Sequence, residues 1–324
     1  MSHLRIVNPG GMMTVQDLGR PGWESYGVPA GGAMDSFALQ AANVLVGNAA
    51  NAGALEITGS GAEIEFLQAT LVAVAGADFG PSLNRVPILT WQATFVRAGM
   101  QLSFAMRRLG ARSYLAVMGG IDVPQVLGSR STYLPSQFGG WHGRPLHMGD
   151  ELSTGLGFDS ARLAGRQWPP NARPGYALAP TLRFLPGPHA HLFAADMLPT
   201  LTQQPFKLAL TSNRIGYRLE GIKFPHSLSL PSLGVLPGAI QMPPDGMPIL
   251  LMRDAQTTGG YPIVANVIQA DLPVAAQLLP GDTIRFKLVR EFEAVAAYRT
   301  MLEWLHSLRL RLEDEGIWLA ANAS

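Results

Sequence analysis

Two polar stretches punctuated by glycine carry the side chains best suited to chemistry. Thr14-Val-Gln-Asp-Leu-Gly-Arg20 leads on to Gly31-Gly-Ala-Met-Asp35. Asp254-Ala-Gln-Thr-Thr-Gly-Gly-Tyr-Pro262 directly follows an apolar run, Ile249 to Met252. In the second stretch the Gln256 amide and the Thr257 and Thr258 hydroxyls can hydrogen-bond a small polar ligand. Gly259 and Gly260 let backbone N–H groups approach an anion. The same residues also suit a tight turn capped by its threonines. Ser212-Asn-Arg214 with Gly216-Tyr-Arg218 places two arginines at another turn, and Ser129-Arg-Ser-Thr132 adds Arg130. His189-Ala-His191, with Asp196 nearby, has the spacing of paired metal ligands on a strand. Pro186, Gly187 and Pro188 point instead to a bend, and no third ligand stands at a diagnostic distance, so no metal site is expected. His142 and His147 likewise read as loop histidines rather than a catalytic base. There is no Gly-Lys dipeptide, hence no P-loop, and neither G-x-G-x-x-G nor G-x-S-x-G occurs.

These side chains must be held by a β-rich scaffold. The 36 glycines and 25 prolines of the 324-residue chain predict many turns and short strands rather than a helical bundle. Strands are expected at residues 4–7, 54–58, 62–66, 71–75, 86–91, 93–96, 101–104 and 113–117. Others are expected at 181–185, 207–210, 217–220, 249–252, 263–268 and 283–288. Residues 8–34 lack periodicity and read as one long loop. Residues 36–46 predict a helix with Asp35 as N-cap and Gly47 as its stop. A short helix is expected over 193–198, ending before Pro199. From Glu291 to about Asp314 there is neither Gly nor Pro. There Val295, Tyr298, Leu302, Leu305, Leu308 and Leu312 form a stripe at helical spacing, predicting one amphipathic helix whose apolar face packs on its own domain, with a partner contact as the alternative. The expected division is an N-terminal β subdomain (1–165), a linker (166–180), a C-terminal β subdomain (181–290) and a helical tail (291–324).

Composition narrows the function classes. Cysteine is absent, which excludes disulfides, Cys-bound zinc, iron–sulfur clusters and a thiol nucleophile, and fits a cytoplasmic protein. A net charge of +1 gives no field to hold a nucleic-acid backbone. Lys207, Lys223 and Lys287 are the only lysines among 24 basic residues. No apolar run reaches the roughly 18–20 residues of a membrane span. Charged residues make up only 15%, against about 25% in an average soluble protein. Either a large core or an apolar surface covered by a partner accounts for that shortage.

Taken together, the motifs resemble one family. They run T-V-Q-D-x-G-R (14–20), G-V-P-x-G-G-A-M-D (27–35), A-N-x-L-V-G-N (42–48), L-E-I-T (55–58) and Y-L-A-V-x-G-G-I-D-V-P (114–124). They continue with L-G-S-R-S-T (127–132), S-N-R-x-G-Y-R-L-E-G (212–221), P-G-A-I-Q-x-P-P-x-G-x-P-I (237–249) and Q-T-T-G-G-Y-P (256–262). The resemblance, over about residues 4–290, is to the biotin-dependent carboxyltransferase-like family. That family includes the C subunit of 5-oxoprolinase, allophanate hydrolase subunit 2 and KipA-type proteins.

The resemblance implies a mainly β fold with two cyclophilin-like barrels. It also implies a KipI-type partner, the B subunit of 5-oxoprolinase. With the A subunit these would form an ATP- and Mg-dependent complex that opens 5-oxo-L-proline to L-glutamate. A biotin-dependent carboxyltransferase component and a non-catalytic KipA-type regulator are the alternatives. No lysine in a Met-Lys-Met context is present to carry biotin. On the oxoprolinase reading, negative charge developing on the lactam oxygen needs donors. Arg214, Arg218, the Thr257 and Thr258 hydroxyls and the backbone of Gly259 and Gly260 are the candidates, while Gln256 and Tyr261 are expected to bind substrate. Arg20 or Arg130 would hold the substrate carboxylate. Asp17 or Asp35 would orient an arginine or move a proton.

Overall fold

The structure, a computed structural model, describes residues 2–156 and 162–314, with side chains to Ser307. The chain divides into two units. The first takes residues up to Arg20, Asp35–Arg173 and those from Glu303. The second takes Pro21–Met34 and Pro174–Leu302. Four helices occur among the described residues: α1 (Ser36–Leu45), α2 (Met197–Gln203), α3 (Leu272–Ala275) and α4 (Glu291–Asp314). None is long and apolar enough to cross a membrane. The remaining regular structure is mainly β.

In the first unit one sheet runs in the order Ile121–Asp122, Glu151–Thr154, Leu4–Pro9, Ala62–Phe66, Gln101–Phe104, Pro81–Leu83, Val86–Pro87. The other runs Met12–Gln16, Ala54–Thr58, Leu109–Val117, Thr70–Asp78, Ala93–Val96. Both feed one core. Leu4, Ile6, Ile64 and Phe66 of the first sheet cluster with Val15, Leu55, Ile57, Val72, Val74, Leu115 and Val117 of the second. This unit is two sheets around a shared core, because the edge strands of one do not pair with those of the other. Ala62–Phe66 alternates buried and half-buried residues, as a strand with one wet face must. Thr70–Asp78 is buried at seven consecutive positions because α1 covers its second face. Met12–Gln16 is a strand where the lack of periodicity predicts a loop. It pairs with Ala54–Thr58; Met13 and Val15 alternate with Thr14 and Gln16, but so short a run is masked by the glycines and prolines that crowd residues 8–34.

Asp35 caps α1 as expected, accepting from the Ala38 N–H at 2.9 Å. Its own N–H donates to the Tyr114 hydroxyl at 2.8 Å, and that hydroxyl donates to Glu56 at 2.7 Å. Burial, with the charges of Glu56 and then Asp35, pushes the Tyr114 phenol well above its ordinary range. Arg112 lies 3.8 Å from the other Glu56 oxygen.

The second unit is a closed barrel. Its strands follow Thr181–Pro186, Ile263–Val267, Ala239–Gln241, Ile249–Leu251, Gly216–Glu220, Phe206–Leu208 and Thr283–Leu288 around the ring. The ring closes by a parallel pairing of its first and last strands, with Thr181 opposite Arg285; the other pairings are antiparallel. Leu182, Phe184, Phe206, Tyr217, Leu219, Ile240, Leu250, Val264 and Phe286 fill the interior, and Met34 joins them.

Other expectations shift. The helix expected over 193–198 overlaps α2 only at Met197 and Leu198, and α2 contains Pro199 instead of ending before it. A proline in the first turn has no helical N–H to lose. The strand expected over 86–91 shortens to Val86–Pro87, since Pro87 brings no N–H to continue the ladder. Part of the 166–180 segment packs tightly: Trp168 is fully buried and donates to the Ala172 carbonyl at 2.6 Å.

Replacing Tyr114 with Phe keeps the ring but leaves Glu56 and the Asp35 N–H each one partner short. The expected loss is about 1–3 kcal/mol of stability, read as a lower urea midpoint at unchanged slope.

Candidate functional site

The Asp17 carboxylate works as a latch. One oxygen accepts from the Gly19 N–H (2.7 Å) and from the hydroxyls of Ser129 (2.6 Å) and Ser131 (2.5 Å). The other accepts from the Arg130 N–H at 2.6 Å. The Asp17 N–H in turn donates to Ser131 at 2.8 Å. A carboxylate so engaged holds the 17–20 turn against the 129–131 turn. Arg20 is 1% exposed. Its guanidinium donates to the Ser131 carbonyl and lies 4.8 Å from the centre of the Phe138 ring. Gly139, at φ +69°, leaves room for this: a Cβ there would collide with the Ser131 carbonyl and sit 3.0 Å from Arg20. Arg130 is half-buried, 3.7 Å from Asp122. The structure therefore brings Asp17, Arg20 and Arg130 together in the first unit, with Asp17 and Arg20 turned to internal contacts. Asp35 is the fully buried cap of α1.

In the second unit Arg214 and Asp254 form a buried, two-pronged ion pair. Arg214 Nε and Nη2 reach the two Asp254 oxygens at 2.7 and 3.0 Å, and the side chains are 5% and 1% exposed. Arg214 Nη2 also donates to the Gly32 carbonyl at 2.6 Å. Arg253, next in sequence to Asp254, donates to the Ala33 carbonyl at 3.1 Å. These bonds pin the base of the 21–34 loop, and Met34 enters the barrel core beside them.

The pinned loop and the 253–257 segment line a cavity of about 890 Å³. Glu24, Pro29 and Ala30 come from the loop. Arg253, Ala255, Gln256 and Thr257 come from the segment. Asn266 and Gln269 add amides, and α4 contributes a further wall. The Gln256 amide contacts Gln241, itself 2% exposed, at 3.5 Å. Gln241 lies so close to Gly259 that a Cβ there would sit 2.6 Å from its amide nitrogen.

Of the candidates in this stretch, Gln256 and Thr257 line the cavity. Thr258, Gly259, Gly260 and Tyr261 are not among its lining residues, and Thr258 and Tyr261 are exposed. Thr258–Gly259 pairs with Leu233–Gly234 in a short ladder. Arg218 sits on the outer face of its strand, between buried Tyr217 and Leu219. Arg253, Asn266 and Gln269 line the cavity with no sequence motif to mark them. Asp254 opened the quoted motif, and its spacing from Arg214 carries no local signal, because the two meet across 40 residues.

His189 accepts the Ile263 N–H at 3.0 Å, and His191 lies in the short turn Ala190–Leu192. Among the described residues no group of three or more His, Asp and Glu is placed to hold a metal ion.

Residues 26–288 match the carboxyltransferase domain, subdomain A and B. The chain belongs to this family. The carboxyltransferase-domain chain is 40% identical to the 5-oxoprolinase C subunit of Escherichia coli (strain K12) over 318 residues, covering 96% of this chain and 99% of that protein. It is 38% identical to the Haemophilus influenzae protein of the same name, covering 93% and 96%. The crystal structure of Kluyveromyces lactis urea amidolyase superimposes with a TM-score of 0.88 at 30% identity. That match covers 94% of this chain but only 20% of the larger one.

Replacing Arg214 with Ala strands the Asp254 charge in the interior, and the expected cost is about 3–5 kcal/mol. Limited proteolysis should then cut within 21–30 at a protease level that spares the parent. The double change R214M/D254L removes both charges and should recover most of the thermal stability while leaving the loop sensitive.

Proposed function

We propose that this chain is the C subunit of an ATP-dependent 5-oxoprolinase, acting with a KipI-type B subunit and with the A subunit. The observation that carries this reading is the match to the E. coli protein along 99% of that protein's length. It extends well beyond a shared domain.

Ring opening adds water across the lactam C–N bond. The carbonyl carbon ends as a carboxylate and the nitrogen as an amine, while ATP becomes ADP and phosphate. An amide is a poor electrophile, and transfer of phosphate to the lactam oxygen would activate it. Donors fixed in advance around that oxygen stabilise the charge that develops there. The Gln256 amide and Thr257 hydroxyl supply them from the cavity wall. Gln241 orients Gln256. Arg214 acts as a positioning residue, since its guanidinium is bound to Asp254 and Gly32. The Asp17 latch and Arg20 have the same character in the first unit. ATP, with its Mg, is consumed by the assembled complex.

A second reading, a biotin-dependent carboxyltransferase component, is favoured by the close superposition on urea amidolyase.

The test is glutamate release by the three co-purified proteins, dependent on both ATP and 5-oxoproline. The Q256A/T257A double variant should assemble normally and lose turnover by about 100-fold. Biotin-dependent carboxylation without glutamate release would reverse the two readings.

A further inference from the structure

The helix that walls the cavity lies outside the family match, which ends at residue 288, whereas α4 begins at Glu291. Sequence periodicity assigns its Val295–Tyr298–Leu302 stripe to packing. The packing edge is instead Ala294 with Ala297, set against Ile268, Val289, Leu185 and Ala270. Two alanines bring the helix close to the barrel. They also turn the bulkier stripe sideways, where Val295, Tyr298 and Leu302 remain 41%, 39% and 43% exposed along the cavity. Leu308 and Leu312 lie beyond the described side chains.

The cavity therefore has an apolar helical wall, and the rest of its lining mixes apolar with polar side chains. Leu185, Val235, Leu236 and Leu272 are apolar there, and Gln256, Thr257, Asn266 and Gln269 are polar. Four charged groups also line it. Arg253 is tied to the Ala33 carbonyl, and Glu24 accepts the Gly22 N–H at 2.7 Å. Glu291 opens α4. Arg299, two turns further on, is exposed and forms no hydrogen bond or ion pair among the described residues. A ligand that fits has an apolar body to cover the stripe, an amide edge to meet the polar side chains, and an anionic group for Arg299. An arginine offers a carboxylate two parallel N–H bonds in one plane, a geometry that no neutral group exploits equally.

We propose that Arg299 of α4 binds the carboxylate of a small cyclic amide acid, and that α4 makes the cavity select acidic lactams over neutral ones. The identity of the ligand as 5-oxoproline rests on the function proposed above. The position of its carboxylate rests on the cavity alone.

The experiment compares complexes assembled with the parent chain, R299A or R299K, using 5-oxoproline and 2-pyrrolidinone, the same ring without its carboxylate. R299A should raise the KM for 5-oxoproline about 10-fold or more while kcat stays within about twofold, with R299K intermediate. The preference for 5-oxoproline over 2-pyrrolidinone should fall by a similar factor. An unchanged KM and preference in an assembled R299A complex would overturn the proposal and leave the oxoprolinase reading standing. If the parent complex turns over no 5-oxoproline, that reading fails by itself. Ligand-observed NMR with a set of small cyclic carboxylates then decides the present one. Binding to the parent and not to R299A supports it; equal binding to both, or none to either, overturns it.

Discussion

The second unit depends on one buried ion pair. Arg214 and Asp254 meet inside the protein, where each alone would carry a heavy desolvation cost, and their two-pronged geometry compensates it. The pair also directs a third hydrogen bond to the Gly32 carbonyl. That bond converts an electrostatic contact into an architectural one. It fixes the 21–34 loop, sets the neighbouring Arg253 against Ala33, and thereby defines two sides of the cavity. A hydrophobic pair of similar volume would fill the space without holding the carbonyl.

The first unit reaches a similar end by different means. Asp17 gathers four hydrogen bonds from two turns, and Arg20 is stacked on Phe138 and bound to backbone carbonyl groups. In both units a charged side chain from a conspicuous motif serves the backbone. Loops rich in glycine cannot be held by side-chain packing, because they have little to pack. Buried ionic and charge-assisted hydrogen bonds are then the strongest available restraint.

This explains what was legible in the sequence. Ala54–Thr58, Ala62–Phe66, Ala93–Val96, Gln101–Phe104 and Thr283–Leu288 are strands with the expected bounds, because alternation and flanking turn residues mark them locally. The cap of α1 and the extent of α4 are local features too. Met12–Gln16 is not legible, since its brief alternation sits among the glycines and prolines of residues 8–34, which read as loop. The motif residues stand out in the sequence, but residue type alone does not separate those that face a cavity from those that hold a loop. Arg214, Arg218 and Arg299 are chemically identical. One is buried against Asp254, one stands on the outside of a strand, and one lines a cavity. The distinction depends on contacts made across dozens of residues. The role of α4 was obscured for a related reason: the stripe is real, but two alanines beside it take the packing contact.

The 21–34 segment has a consequence for how this protein comes into being. It is made well before its anchor, since Arg214 follows Gly32 by 182 residues. The loop must stay unplaced until most of the barrel has left the ribosome, and closing so long a loop carries its full entropic cost. The barrel cannot be completed by any contiguous fragment that begins after the first unit, because its core includes Met34. A cut between Arg173 and Pro174 would therefore not release two self-sufficient halves. The barrel half would lack its N-terminal insert, and the other half would carry that insert with nothing to bind it.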